Sequence, residues 1–235
     1  MSHLFLNKDV YSCILDEQES VHVVKVLRLK EGDAITVTNG NGIIVSAQIT
    51  KADHRKCGYK IIQEETLQKR SEAAIHIAIA PTKNMERMEW LVEKCTEFGI
   101  DAFSFILTEP SERKNLTVSK LEKTSFAAIK QSGQPFLPNF SELISYQPFL
   151  EQDFSVYDYK LIACLDEDPK PTIMQLVQAN KSCILLIGPE GDFTPNEVKK
   201  AVDKGFIKIS LGNSILRTET AAIASCHILN LIQEK

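Results

Sequence analysis

Cys183-Ile184-Leu185-Leu186-Ile187-Gly188-Pro189-Glu190-Gly191-Asp192-Phe193-Thr194-Pro195-Asn196-Glu197 carries three signals in succession. Cys183–Ile187 is an uninterrupted apolar run, as a strand covered on both faces requires. Gly188 to Gly191 is a glycine turn, which lets a ligand approach the backbone. Thr194 is a good helix N-cap, Pro195 suits the first helical position, and Glu197 completes a capping box with Thr194. The same alternation extends to both sides. Leu161–Leu165 and Ile207–Leu211 read as further buried strands, as do Ile75–Ala80, which stops at Pro81, and Phe103–Leu107. Met85–Phe98 reads as a helix ended by Gly99, with Met88, Leu91, Val92 and Cys95 at helical spacing. Ser119 with Glu122 reads as the cap of a helix running to Gly133, and Ala221–Ile232 as the last helix. Residues 134–158, with prolines and scattered aromatics, read as irregular. Strands alternating with helices predict an α/β domain with a mainly parallel sheet over residues 71–235.

Residues 1–70 have a different texture. Asp16 and Glu19 have capping-box spacing before a short helix holding Val23, Val24, Val26 and Leu27. Ala34–Thr38 and Ile43–Ile49 alternate as strands around Asn39-Gly40-Asn41-Gly42, a strong hairpin signal. Gly58–Gln63 is a further strand, and the polar stretch Gln63–Glu72 reads as a linker to the larger domain.

The bulk numbers narrow the function classes. A chain of 235 residues holds one or two domains at about 100–200 residues each. Apolar residues at 43% and charged residues at 25% are ordinary for a globular protein. No run approaches the ~18 apolar residues of a membrane helix, and Met1–Asp9 lacks the pattern of a secretory signal. The six cysteines are scattered, with no C-x-x-C pair and no His at zinc spacing, so a cytoplasmic protein without a metal site is expected. A net charge of −4 argues against grip on nucleic acid by charge alone. Basic residues are nonetheless grouped, as Lys25, Arg28 and Lys30, and as Arg113, Lys114, Lys120 and Lys123.

Two loops carry the chemistry. In the first, Glu190 and Asp192 would repel phosphate, and neither a P-loop lysine nor a G-x-G-x-x-G pattern is present, which disfavours a nucleoside-triphosphate enzyme. Acidic groups suit ribose hydroxyls or a cationic ligand, and S-adenosylmethionine, with its positive sulfonium, offers both. A tight turn with solvated carboxylates accounts for the loop equally well. The second, Leu211-Gly212-Asn213-Ser214-Ile215-Leu216-Arg217-Thr218-Glu219-Thr220-Ala221, also follows a strand, at the end where open α/β sheets place ligands. Thr218 reads as the cap of the final helix. Arg217 and Glu219 are either a surface ion pair or, if the two loops wall one pocket, functional groups.

These two loops, in this order, resemble the RsmE family of ribosomal RNA small-subunit uridine N3-methyltransferases, of the SPOUT superfamily. The resemblance covers nearly the whole chain. His22-x-x-x-Val26-Leu27-Arg28-Leu29-Lys30-x-Gly32-Asp33 is similar to the family's PUA-like domain motif. Lys83 with Arg87-Met88-Glu89, Lys94-x-x-Glu97-Phe98-Gly99, Ser111-Glu112-Arg113-Lys114 and Gln131-Ser132-Gly133 match further motifs. The chain departs from the pattern at Asp192, where many relatives have a second glycine, and at Thr124 and Gln134, where many have arginine.

The resemblance implies a trefoil-knotted catalytic domain behind a PUA-like β-barrel, and a homodimer. It implies S-adenosylmethionine held by Leu165, Gly188, Glu190, Gly191, Leu211, Gly212, Ile215 and Leu216. It implies 16S ribosomal RNA as substrate, within the small subunit. Arg28, Lys83, Arg113, Lys114 and Gln131 are the expected RNA contacts. Uridine N3 carries a proton and lies on the Watson–Crick edge, so the base must be unpaired and its developing anion stabilised. Arg217 is the candidate for that stabilisation. Glu219 is the candidate base or the group that orients Arg217, against the plain reading of a first-turn carboxylate favoured by the helix dipole. A ribosome-assembly factor that has lost turnover is the alternative from another class.

Overall fold

In the computed structural model, which describes residues 3–69, 71–133, 135–166 and 168–233, the run Cys183–Ile187 is a strand with every residue buried. The strands in chain order are β1 Leu4–Leu6, β2 Ala34–Thr38, β3 Ile43–Lys51, β4 Gly58–Thr66, β5 Ile75–Ile79, β6 Ala102–Leu107, β7 Asn139–Ser145, β8 Tyr159–Ala163, β9 Cys183–Ile187 and β10 Ile207–Ile209. The helices are α1 Glu17–Val21, α2 Met85–Phe98, α3 Val118–Ser132, α4 Tyr146–Leu150, α5 Ile173–Leu176, α6 Pro195–Asp203 and α7 Thr218–Gln233. The chain divides into two compact units: residues 1–69 with 129–137, and residues 70–128 with 138–235.

The larger unit is built on a six-stranded sheet in the order β10-β8-β9-β5-β6-β7. Every adjacent pair is parallel. Because successive side chains leave a strand on opposite faces, each apolar run feeds two cores. Cys183, Leu185 and Ile187 join Ile75, Ile77 and Ile79 against α2 and α7. Ile184 and Leu186 join Ala78, Ala80 and Ile162 beneath Tyr146, Phe149 and Ala201 of α4 and α6. Helices on both faces explain why these strands are continuously apolar rather than alternating. On the second face β5 also carries His76, 8% exposed. Its Nδ1 lies 2.7 Å from the Tyr157 hydroxyl and its Nε2 2.9 Å from Ser104 Oγ. Burial pushes this imidazole down to about 4.

Several expectations need correction. Residues 134–158 are not irregular: they contain β7 and α4. β7 is the sheet edge, pairs only with β6, and is half-exposed throughout, so it never shows an apolar run. β4 runs through the polar residues Gln63–Thr66, where pairing with β3 and not burial holds it. α3 begins at Val118, so Ser119 lies inside it, and Thr218 is the first residue of α7 rather than a residue outside it. β8 ends at Ala163 and β10 at Ile209, which frees Leu165 and Leu211 for the loops beyond. In α7, Ala221 and Ile232 are core residues, while Leu231 remains 47% exposed.

The smaller unit has a four-stranded sheet, β1-β2-β3-β4, in which β1 is parallel to β2 and the rest are antiparallel. The Asn39–Gly42 hairpin joins β2 to β3, with Asn39 Oδ1 accepting from the N–H groups of Asn41 and Ile43. Phe5, Val23, Ile35, Val37, Val45, Ile49 and Tyr59 fill its core. Asp16 caps α1 by accepting from Glu19 N at 2.8 Å. Only this half of the expected box forms, because the Glu19 carboxylate turns instead to Lys130 Nζ, at 2.9 and 3.0 Å. α1 runs into a wider π-turn, His22–Val26, and the chain leaves it at Arg28 with φ +56.

Candidate functional site

Three loops leave the C-terminal ends of β8, β9 and β10, and together they wall a cleft of about 450 Å³. Leu165, Gly188, Glu190, Leu211, Gly212, Ile215 and Leu216 all line it, as does Arg217. Gly191 sits in the same loop but is not among the lining residues. Four carboxylates (Asp166, Asp168, Glu190 and Asp192) face two cations, Lys170 and Arg217, so the lining is net acidic. Its apolar part includes two side chains open to solvent, Leu165 at 62% and Ile215 at 79%.

The first loop is tied to the second. Leu165 N donates to Asp192 Oδ2 at 2.6 Å, and Asp192 N closes the turn on Pro189 O at 3.0 Å. Asp192 has φ +60, a left-handed conformation that Asp tolerates better than most side chains. This is the position where a glycine was expected from the resemblance; the backbone demand is the same, and the carboxylate here adds a bond across the cleft mouth. Asp166 is gripped by Lys170 at 2.5 Å and by Lys208 at 3.0 Å. Burial raises its carboxyl, but the two ammonium groups outweigh it and bring it down to about 2.

The three glycines of the cleft loops differ in what a side chain would meet. A Cβ on Gly191 would meet only Pro110 Cβ, at 3.4 Å. A Cβ on Gly188 would lie 3.2 Å from Asp192 and from Phe193 Cδ2, inside the turn. Gly212 has open space around it but φ +114, which side chains rarely adopt. The helix that follows the second loop starts as read: Thr194 Oγ1 accepts from Glu197 N at 3.2 Å, and Glu197 Oε2 accepts from Thr194 N at 2.9 Å. Glu197 Oε1 also takes Glu109 N at 2.8 Å, a long-range bond that spacing alone does not reveal.

Arg217 is exposed at the rim, whereas Glu219 is 4% exposed and lies outside the cleft lining. Glu219 Oε1 is 3.6 Å from Arg87 Nε on α2, and its Oε2 has no hydrogen-bond partner among the described residues. Glu219 is thus paired with Arg87, a residue that sequence reading placed only in a helix motif. Asp166, Asp168 and Lys170 also line the cleft, and no sequence motif singles them out.

The expected RNA contacts fall on both units. Arg28 and Gln131 are exposed in the smaller one. In the larger one Lys83 is exposed and pairs with Glu112 Oε2 at 2.8 Å, and Lys114 is exposed. Neither Arg28 nor Lys114 has a hydrogen bond or ion pair among the described residues. Lys94 is held between Glu93 and Glu97, at 2.7 and 2.9 Å, and Lys120 pairs with Glu89. Thr124 Oγ1 bonds back to Lys120 O, and Gln134 lies outside the described residues.

The profile of the RNA methyltransferase domain family matches residues 69–230. The chain belongs to that family. In this methyltransferase a second profile, the RNA methyltransferase PUA domain, matches residues 15–58. Ribosomal RNA small subunit methyltransferase E of Synechocystis is 29% identical over 221 residues, covering 91% of this chain and 71% of that protein. A probable rRNA-methyltransferase of Porphyromonas gingivalis is 37% identical, with TM-score 0.90 over 98% of both chains. A Legionella pneumophila protein described as a putative methyltransferase, whose structure is in complex with the bound cofactor S-adenosylmethionine, is 26% identical, with TM-score 0.87 over 98% of both chains.

Proposed function

We propose that this methyltransferase uses S-adenosylmethionine to methylate N3 of a uridine in 16S ribosomal RNA of the small ribosomal subunit. Family membership and the relatives' names support the reaction and the RNA. The observation that carries the cofactor assignment is the acidic, partly apolar cleft at the strand ends. Its volume of about 450 Å³ falls within the roughly 300–1,000 Å³ of small-molecule sites.

The residues fit the group. Carboxylates at the rim suit a positive sulfonium and ribose hydroxyls, while Leu165, Leu211, Ile215 and Leu216 suit an adenine ring. The backbone at Gly188 and Gly212 allows close approach, and Gly191 extends the same turn. When bound, S-adenosylmethionine supplies the electrophilic methyl group. Arg217, exposed at the rim, is assigned to the uracil oxygens, where its charge stabilises the anion left when the N3 proton departs. Glu219 is buried beside Arg87, so its assigned role is to hold the start of α7, and with it Arg217, rather than to reach the base directly.

On the RNA side, Arg28, Lys83, Lys114 and Gln131 are the proposed contacts, Arg28 on a PUA-like barrel made by residues 1–70. Residues 71–235 form the proposed catalytic domain. The insertion of β9 between β8 and β5 supports a trefoil knot through the cleft loops. Leu231, 47% exposed on α7, supports a homodimer that packs through this helix. The proposed setting is the bacterial cytoplasm, where small subunits are assembled. Mass mapping of methyluridine in ribosomal RNA from cells with and without the protein tests the proposal. Loss of one N3-methyluridine in 16S RNA is expected, and an unchanged map removes the assignment.

A further inference from the structure

One peptide unit, Thr82–Lys83, is held from both ends. Its oxygen, Thr82 O, accepts from Arg113 Nε at 2.9 Å, and Arg113 Nη2 donates to the next carbonyl, Lys83 O. Its N–H, on Lys83, donates to Glu190 Oε1 at 3.0 Å. A cation at the oxygen end and an anion at the nitrogen end polarise one amide in the same sense, so each bond strengthens the other. The planar fork of arginine matches two successive carbonyls, which a lysine ammonium does not. The Lys83 ammonium goes to Glu112. Glu190 is therefore hydrogen-bonded by a backbone N–H and not by the neighbouring side chain. Glu190 in turn lines the cleft.

We infer that Arg113 is a positioning residue for the cofactor cleft: through the Thr82–Lys83 peptide it fixes the Glu190 carboxylate, and with it the glycine loop, for a ligand carrying positive charge or ribose hydroxyls. This gives Arg113 a task other than the RNA phosphate contact its sequence context suggested. The inference rests on the reading of the cleft as the S-adenosylmethionine site.

The test is calorimetric titration of S-adenosylmethionine, without RNA, into the full chain and into Arg113→Ala, Arg113→Lys, Glu190→Ala and the Arg113→Ala/Glu190→Ala double variant. Both Arg113 variants are expected to bind about tenfold or more weakly, the scale of a charge-assisted bond. In the Glu190→Ala background the Arg113→Ala change should cost little, because contributions routed through one group are not additive. Additive losses would assign Arg113 to general folding and overturn the inference. In parallel, small-subunit binding by cofactor-free protein is measured against salt. Arg113→Ala should leave the slope unchanged, whereas a lost phosphate contact lowers it by roughly 0.7–0.9. A lowered slope with full cofactor affinity also overturns the inference. If Arg113→Ala does not fold, Arg113→Gln, which removes the charge with less loss of bulk, carries both measurements. A wild-type chain that fails to bind S-adenosylmethionine removes the reading of the cleft itself. Binding by wild type that Arg113→Ala and Arg113→Lys match removes only the role of Arg113.

Discussion

Arg28, one of the proposed RNA contacts, sits in a left-handed backbone conformation. Its φ of +56 is a conformation that glycine adopts freely and that costs another side chain about 1 kcal/mol or more. Its side chain is exposed to solvent. Arg28→Gly should raise or preserve the unfolding midpoint while weakening small-subunit binding, and a fall in both would assign Arg28 to the packing of its turn. Around the cleft the same reasoning separates two glycines that look alike in sequence. Gly188→Ala forces a Cβ to 3.2 Å from two neighbours in the turn, whereas Gly191→Ala meets one proline carbon at 3.4 Å. Gly188→Ala is expected to lose most S-adenosylmethionine binding in a folded protein, and Gly191→Ala to keep it. Calorimetry on the pair decides, and equal behaviour would show that the turn relaxes.

At the scale of elements, β5 carries one polar side chain, His76, in an otherwise apolar strand. His76 is neutral in the fold because burial lowers its pKa from 6.5 to about 4. The unfolded chain therefore binds this proton first as pH falls. The sign follows: stability from this group is complete above about pH 7 and is lost progressively between 6.5 and 4. At one pKa unit per 1.36 kcal/mol, the loss near pH 5 is about 2 kcal/mol. Urea denaturation at pH 7.5 and 5 should show a larger drop for wild type than for His76→Gln, whose amide can still reach Tyr157 and Ser104. Equal drops would mean that other groups dominate. The helices tell a complementary story: α7 puts Ala221, Cys226 and Leu229 against the same core as Met88 and Leu91 of α2. Glu219 at its start and Arg87 on α2 then meet across that contact.

For the whole molecule, charge sets what substrate the enzyme meets well. A net charge of −4 gives weak long-range attraction to phosphate, so affinity must come from a target already shaped to fit. Small subunits or late assembly particles should be methylated much faster than protein-free 16S RNA at matched concentration and salt. Equal rates at physiological salt would mean that local RNA structure suffices. The exposed Leu231 on α7 leads to a second expectation, a dimer. Sedimentation at micromolar concentration should give about twice 26.4 kDa, and a monomer would leave Leu231 without the cover proposed for it.

The sequence by itself determined what depends on neighbours along the chain. Strands covered on both faces are apolar at nearly every position, so Cys183–Ile187 was legible, and Ile75–Ile79 was too despite His76, as were the Thr194–Glu197 box and the 39–42 hairpin. The two strand-end loops were also legible as loops at the C-terminal ends of strands, where they line the cleft. β7 and the end of β4 were not legible, since an edge strand is held by pairing with a distant partner and carries no apolar signature. Only the tertiary structure decided which glycine is crowded, because the crowding atoms depend on how the turn closes. It alone brought Arg87 to Glu219 and Arg113, through one peptide, to Glu190, groups separated by more than a hundred residues in one case and by nearly eighty in the other. Hydrogen bonds and ion pairs of that span have no periodicity to read, since what they require is a shared place and not a shared stretch of chain.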